Sequence, residues 1–156
     1  MRDHAEHRAA IVREALSWLK TPYHHHGRVK GEGGGVDCLM LLAEVFERTG
    51  FAGHVEPGFY AHDWHLNHTE ERYAQGLASY VRRLPEGESP QPGDIGLWHF
   101  GLTFSHGGIV VDEGPLVLHA CLGHGVILTR ASEFPLAGRA VQWWSALPAS
   151  ALAEAA

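Results

Sequence analysis

IGLWHFGLTFSHGGIVVDEGPLVLHACLGHGVILTR, residues 95–130, alternates short apolar runs with links that carry glycine or proline. Such runs, rich in valine, isoleucine and aromatic residues and bounded by turn formers, predict strands joined by hairpin-length connections. Four are predicted here, Ile95–Phe100, Gly107–Val111, Leu116–Ala120 and Val126–Arg130, and a fifth follows at Arg139–Trp144. Just upstream, Pro85 to Asp94 (PEGESPQPGD) breaks regular structure.

Ahead of that break the period changes to that of helices. Glu6 to Lys20 carries Ala9, Val12, Leu16 and Leu19 as an apolar stripe, with Ala15 and Trp18 beside it. Thr21-Pro22 stops it, and a glycine- and histidine-rich loop runs from Tyr23 to Val36. A second helix begins at Cys38, with an apolar run from Leu39 to Phe46 and a stop near Thr49-Gly50. Gly50 to Asp63 reads as irregular, with Pro57-Gly58 as a turn. Thr69 reads as the N-cap of a third helix reaching about Arg82, and Ala149 to Ala156 as a frayed tail. Helices first and short strands afterwards imply an α+β domain with an antiparallel sheet.

Composition bounds the function. The 156 residues suit a single domain, 1–156, and 45% hydrophobic with 19% charged residues is an ordinary globular balance. A net charge of −6 without a lysine- or arginine-rich block argues against nucleic acid as a partner. No apolar run approaches the roughly 18 residues of a membrane span, so no membrane role is expected. The N-terminus, MRDHAEHR, lacks the apolar core of a signal peptide. The expectation is a protein kept in the cytoplasm, or one that leaves it without a cleavable signal. The two cysteines, Cys38 and Cys121, are expected to be unpaired. Among 13 histidines, the run His24-His25-His26 and the series His62, His65, His68 stand out. Sequence neighbours point different ways, and the series lacks partner cysteines, so no metal and no cofactor is expected.

Cys38 sits in the first turn of the second helix, behind Gly-Gly-Gly-Val-Asp37. Free N–H groups and the positive dipole end there are expected to stabilise a thiolate. Two histidines are placed to serve it. His106 opens one strand and His119 lies on the next, across the turn Asp112-Glu113-Gly114-Pro115. A hairpin centred between Asp112 and Glu113 sets them directly opposite; one centred between Glu113 and Gly114 makes them diagonal neighbours on one face. Either way they lie within roughly 5 to 8 Å at Cβ. Only a centre on Glu113 itself would put them on opposite faces. The chemistry that fits is nucleophilic acyl transfer, with Cys38 as nucleophile, His106 as acid and base, and His119 orienting His106. The Cys38 N–H would meet the oxyanion, with Tyr23 as second donor or substrate contact.

In order along the chain, Thr21-Pro22-Tyr23, Asp37-Cys38, Pro92-Gly93-Asp94, Ser105-His106-Gly107-Gly108-Ile109 and His119-Ala120 resemble the NlpC family of papain-like cell-wall cysteine peptidases. The match covers roughly residues 8 to 144. The resemblance implies a papain-like NlpC fold, with N-terminal helices packed on an antiparallel sheet of about five strands. It implies hydrolysis of amide bonds in peptidoglycan stem peptides, with Cys38, His106 and His119 as the triad. Tyr23 and Asp37 carry over as active-site neighbours for substrate or oxyanion. The Lys30-Gly31 loop, Asp63-Trp64-His65-Leu66 and Glu70-Glu71-Arg72-Tyr73 look like the phage or prophage tail subgroup, including gene-transfer-agent peptidases. That likeness implies phage tail proteins as partners and a place in the virion. Family members usually follow the cysteine with Ser-Gly; here Leu39-Met40 stands instead, which affects substrate specificity rather than the triad.

The rival from another class is a structural tail component or binding module with this fold and no turnover. A lipid thiol acyltransferase of the circularly permuted kind would place histidine before cysteine. A transglutaminase-like enzyme would place an aspartate third. The order Cys38, His106, His119 argues against both.

Overall fold

The computed structural model describes residues 4–55 and 71–148. Two helices come first, α1 (His4–Leu16) and α2 (Cys38–Arg48), with a two-stranded hairpin between them, β1 (Arg28–Val29) and β2 (Gly35–Val36). Then come α3 (Arg72–Ala78), β3 (Arg82–Arg83), β4 (Ile95–Phe100), β5 (Thr103–Asp112), β6 (Leu116–Cys121), β7 (Gly125–Arg130) and β8 (Val141–Ser145). The last six strands form one antiparallel sheet, ordered β3-β8-β4-β5-β6-β7. The α+β expectation therefore holds, with six strands where five were expected. The extra one is β3, two residues pairing with β8. It is too short and too basic to show an alternation.

Part of the stripe expected for α1 is buried: Val12 and Leu19 pack partly buried against the core. Ile11, Ala15 and Trp18 are buried, an i, i+4, i+7 set, whereas Ala9 and Leu16 are exposed. The helix also ends at Leu16 rather than Lys20: Ser17 Oγ donates back to the Glu14 carbonyl, and Lys20 takes a left-handed φ of 72°. α3 is shorter than expected, with Glu71 rather than Thr69 at its N-cap. Thr69, the Gly50–Asp63 stretch beyond residue 55, the series His62, His65, His68, the Asp63–Leu66 stretch, Glu70 and the tail lie outside the described residues.

One face of the sheet packs on the helices. Ile11, Trp18, Leu41 and Val45 meet Ile95, Leu97, Ile109 and Leu118, all at most 1% exposed. Each such large side chain contributes roughly 1.5–3 kcal/mol by leaving water. The opposite face has a smaller cluster around Trp98, Val117 and Leu136. The Pro92-Gly93-Asp94 segment ties the break to α1. Arg8 donates to the Pro92 carbonyl at 3.0 Å and to buried Asp94 at 2.8 Å. Gly93 has φ 97°, a conformation that favours glycine. These contacts fix where β4 enters the sheet, and with it the neighbouring strand β5.

Candidate active site

Asp37 places Cys38. It is the N-cap of α2, in extended conformation, and its Oδ1 accepts the Met40 N–H at 2.8 Å. Its Oδ2 accepts the His26 N–H at 2.8 Å, which pins the histidine loop across the helix mouth. Both carboxylate oxygens are thus occupied by architecture, and Asp37 is 2% exposed. A carboxylate so held accepts hydrogen bonds and offers none to an oxyanion.

The thiol meets β5 at the backbone on either side of His106. Cys38 Sγ donates to the Ser105 carbonyl at 3.8 Å, and the Gly107 N–H donates to the sulfur. Gly107 allows this approach. A Cβ there would lie 2.5 Å from the Tyr73 hydroxyl and 2.9 Å from Leu42 Cδ1. The Tyr73 hydroxyl donates to the Cys38 carbonyl at 3.2 Å and also lies against its thiol.

The rings of the two histidines are joined. His106 Nε2 and His119 Nδ1 are 2.7 Å apart, and His119 Nε2 lies 2.8 Å from Thr129 Oγ1. The hairpin behind this contact pairs Ile109 with Leu118 and Val110 with Val117, so it is centred between Glu113 and Gly114. That is the diagonal register of the two that bring the histidines to one face. Carried on, it sets His119 across from Gly108, where a Cβ would come within 3.2 Å of His119 Cβ. Phe100 packs on His106 with ring centroids 5.0 Å apart. If the Thr129 hydroxyl accepts from His119 Nε2–H, then His119 Nδ1 holds a lone pair and His106 Nε2–H donates to it. His106 Nδ1, the ring nitrogen nearer the backbone, is then the basic one.

The electrostatics of the resting site differ from the expected thiolate. Cys38 keeps some exposed surface, yet its sulfur is so ringed by protein atoms that burial pushes the thiol up to about 12, with the Asp37 charge adding to the rise. The Gly107 N–H and the Tyr73 hydroxyl pull the other way and do not prevail. Desolvation and an adjacent carboxylate outweigh the helix mouth, so the thiol is neutral at rest. Burial also raises the Tyr23 hydroxyl, helped by Cys38 and Asp37, and keeps it a donor. Tyr23 bridges to Val36 beside the helix start. Burial lowers His119 to about 4, so it is neutral near pH 7.

Three participants were not picked out from the sequence: Thr129, Tyr73 and Cys121, whose Sγ is 3.2 Å from His119 Nδ1. Cys121 follows His119 by two residues on β6, and that spacing alone marks a shared face. Thr129 needs the β6–β7 register, His119 opposite Ile127, before its nearness shows.

No protein-family model and no curated protein matches the sequence. Solved structures do match the fold. One is a crystal structure of the NlpC/p60 domain of the peptidoglycan hydrolase SagA, with TM-score 0.59, 20% identity, and 86% of this chain and 96% of that one covered. Another is a protein of Staphylococcus aureus subsp. aureus Mu50 described as similar to a lipoprotein of the NLP/P60 family, with TM-score 0.61 and 17% identity. That match covers 96% of this chain and 44% of the staphylococcal protein, so the chain spans less than half its length. The chain therefore has an NlpC/p60 fold.

Proposed function

We propose that the chain is a cysteine endopeptidase that hydrolyses amide bonds in peptidoglycan stem peptides, carried on a phage or prophage tail. The observation that carries the chemistry is Cys38 Sγ seated on the backbone flanking His106, whose ring is held by His119 at 2.7 Å. The NlpC/p60 fold and the ordered motifs support the substrate class; the likeness of the Lys30-Gly31 loop and of residues 63–66 and 70–73 to the tail subgroup supports the setting.

With a neutral resting thiol, attack and deprotonation go together. His106 Nδ1 takes the Cys38 proton as the sulfur adds to the substrate carbonyl, so charge never rests on an unsolvated sulfur. The tetrahedral oxyanion meets the Cys38 N–H at the head of α2 and the Tyr23 hydroxyl. His106 then protonates the leaving amine, and the C–N bond breaks to give a thioester. Water, deprotonated by His106, cleaves the thioester and returns the proton to Cys38. His119 and Thr129 hold the tautomer that makes Nδ1 the base. Leu39 replaces a hydroxyl beside the nucleophile with an apolar side chain, which favours cleavage within longer stems over capture of a free terminal amine.

The test is incubation with purified sacculi and mass analysis of what is released. Split stem peptides are expected, and Cys38→Ala should release none. Whole stems freed from glycan would make the protein an amidase. No release by either form would favour a structural tail module.

A further inference from the structure

Among the described residues, His106, His119 and Cys121 offer three metal-ligating atoms within 4.8 Å of one another. They are separate from the consecutive histidines 24–26 that first draw the eye. We infer that these three side chains form a binding site for a borderline-soft divalent cation of the zinc class, and that filling it switches off hydrolysis by withdrawing His106 from Cys38.

The donor set argues for the metal. Two imidazole nitrogens and one sulfur suit zinc and its neighbours, whereas magnesium and calcium want oxygen. His119 Nδ1 already lies 2.7 Å from His106 Nε2 and 3.2 Å from Cys121 Sγ. A tetrahedral zinc, about 2.0 Å from nitrogen and 2.3 Å from sulfur, sets its ligand atoms roughly 3.3 to 3.6 Å apart. These two sides must lengthen by about half an ångström or less, while the third, from His106 to Cys121, is at most 4.8 Å and must come to the same spacing. His106 is half-buried, while His119 and Cys121 are buried on one face of β6. Thr129 at His119 Nε2 supplies the outer hydrogen bond that metal-bound histidines use to present a bare second nitrogen.

The proton balance explains the inhibition. Zinc takes the Nε2 lone pair of His106, so the proton formerly shared with His119 moves to Nδ1. Cys121 gives up its thiol proton to solvent, one released for each ion bound. His106 then carries N–H toward Cys38 and has no lone pair with which to deprotonate it. The site itself is independent of the proposed hydrolysis; its effect on turnover rests on that reading.

The full chain has two cysteines, so Cys38→Ala leaves Cys121 as its single thiol. Titrating that variant with cobalt(II) should give a near-ultraviolet thiolate-to-cobalt charge-transfer band that saturates at one equivalent and is erased by zinc. Absence of the band overturns the site, whether or not the protein cleaves peptidoglycan. On sacculi, with each protein compared with its own metal-free rate, Cys121→Ala should need about tenfold more zinc, or beyond, for half-inhibition than the wild type. Equal sensitivity in the two proteins overturns the inhibitory role.

Discussion

His119 is held from both ring nitrogens, and that double hold makes a tautomer out of a pair of imidazoles. Thr129, 8% exposed, has no charge to offer; by accepting the Nε2–H its hydroxyl would leave the opposite nitrogen bare. Thr129→Val should therefore lower kcat about tenfold, the equivalent of one neutral hydrogen bond, with KM little changed. Thr129→Ser, which keeps the acceptor, should restore most of the rate. Equal losses in both variants would reduce Thr129 to a packing residue. At this scale motifs and spacing pointed to Cys38, His106 and His119, which the fold brings to one place. The thiol's charge was misjudged, because a helix mouth is visible in sequence while desolvation and the closeness of Asp37 belong to the packed site. Asp37 itself could be recognised as a neighbour of Cys38 but not as a cap with both oxygens spent.

β5 is the element that assembles the site, and two glycines let other groups close on it. Gly107 leaves room for Tyr73 and Leu42, and Gly108 for Val117 and His119. Gly107→Ala would drive a methyl to 2.5 Å from the Tyr73 hydroxyl, on the strand whose N–H holds the Cys38 sulfur. The expected outcome is a loss of about 1–3 kcal/mol in a denaturant titration, typical of overpacking. Hydrolysis should fall well beyond what that leaves folded. An unchanged kcat would show that α2 and β5 can part without harm. The β5–β6 hairpin was legible because its turn residues restrict the centre to a few choices, and two of three put the histidines on one face. β3 was not, since two arginines carry no period. The stripe of α1 was read correctly at Val12, Ala15, Trp18 and Leu19 but not at Ala9 and Leu16, because apolar residues stand on more than one side of the helix and only the sheet decides which side is covered.

Across the whole molecule, the site's buried groups set a pH window for folding. His119 falls from an ordinary 6.5 to about 4 in the fold, because burial disfavours its charged form. The unfolded chain therefore binds this proton more readily, and stability present above about pH 6.5 is lost as pH falls toward 4. Between pH 7 and 5 the loss from His119 should be about 2 kcal/mol. The thiols act at the other end. Cys38 rises from 9.0 to about 12 and Cys121 from 9.0 to about 11, so the stability they contribute is complete below pH 9 and drains away as pH climbs through those values. Both edges come from the same cause, neutral groups packed where charge is unwelcome. Urea titrations at pH 7 and 5 should show the acid loss in the wild type and a markedly smaller one in His119→Gln, whatever that variant's stability at pH 7. If His119→Gln kept the full pH dependence, the burial of His119 as a neutral ring would be refuted, and with it the acceptor that orients His106.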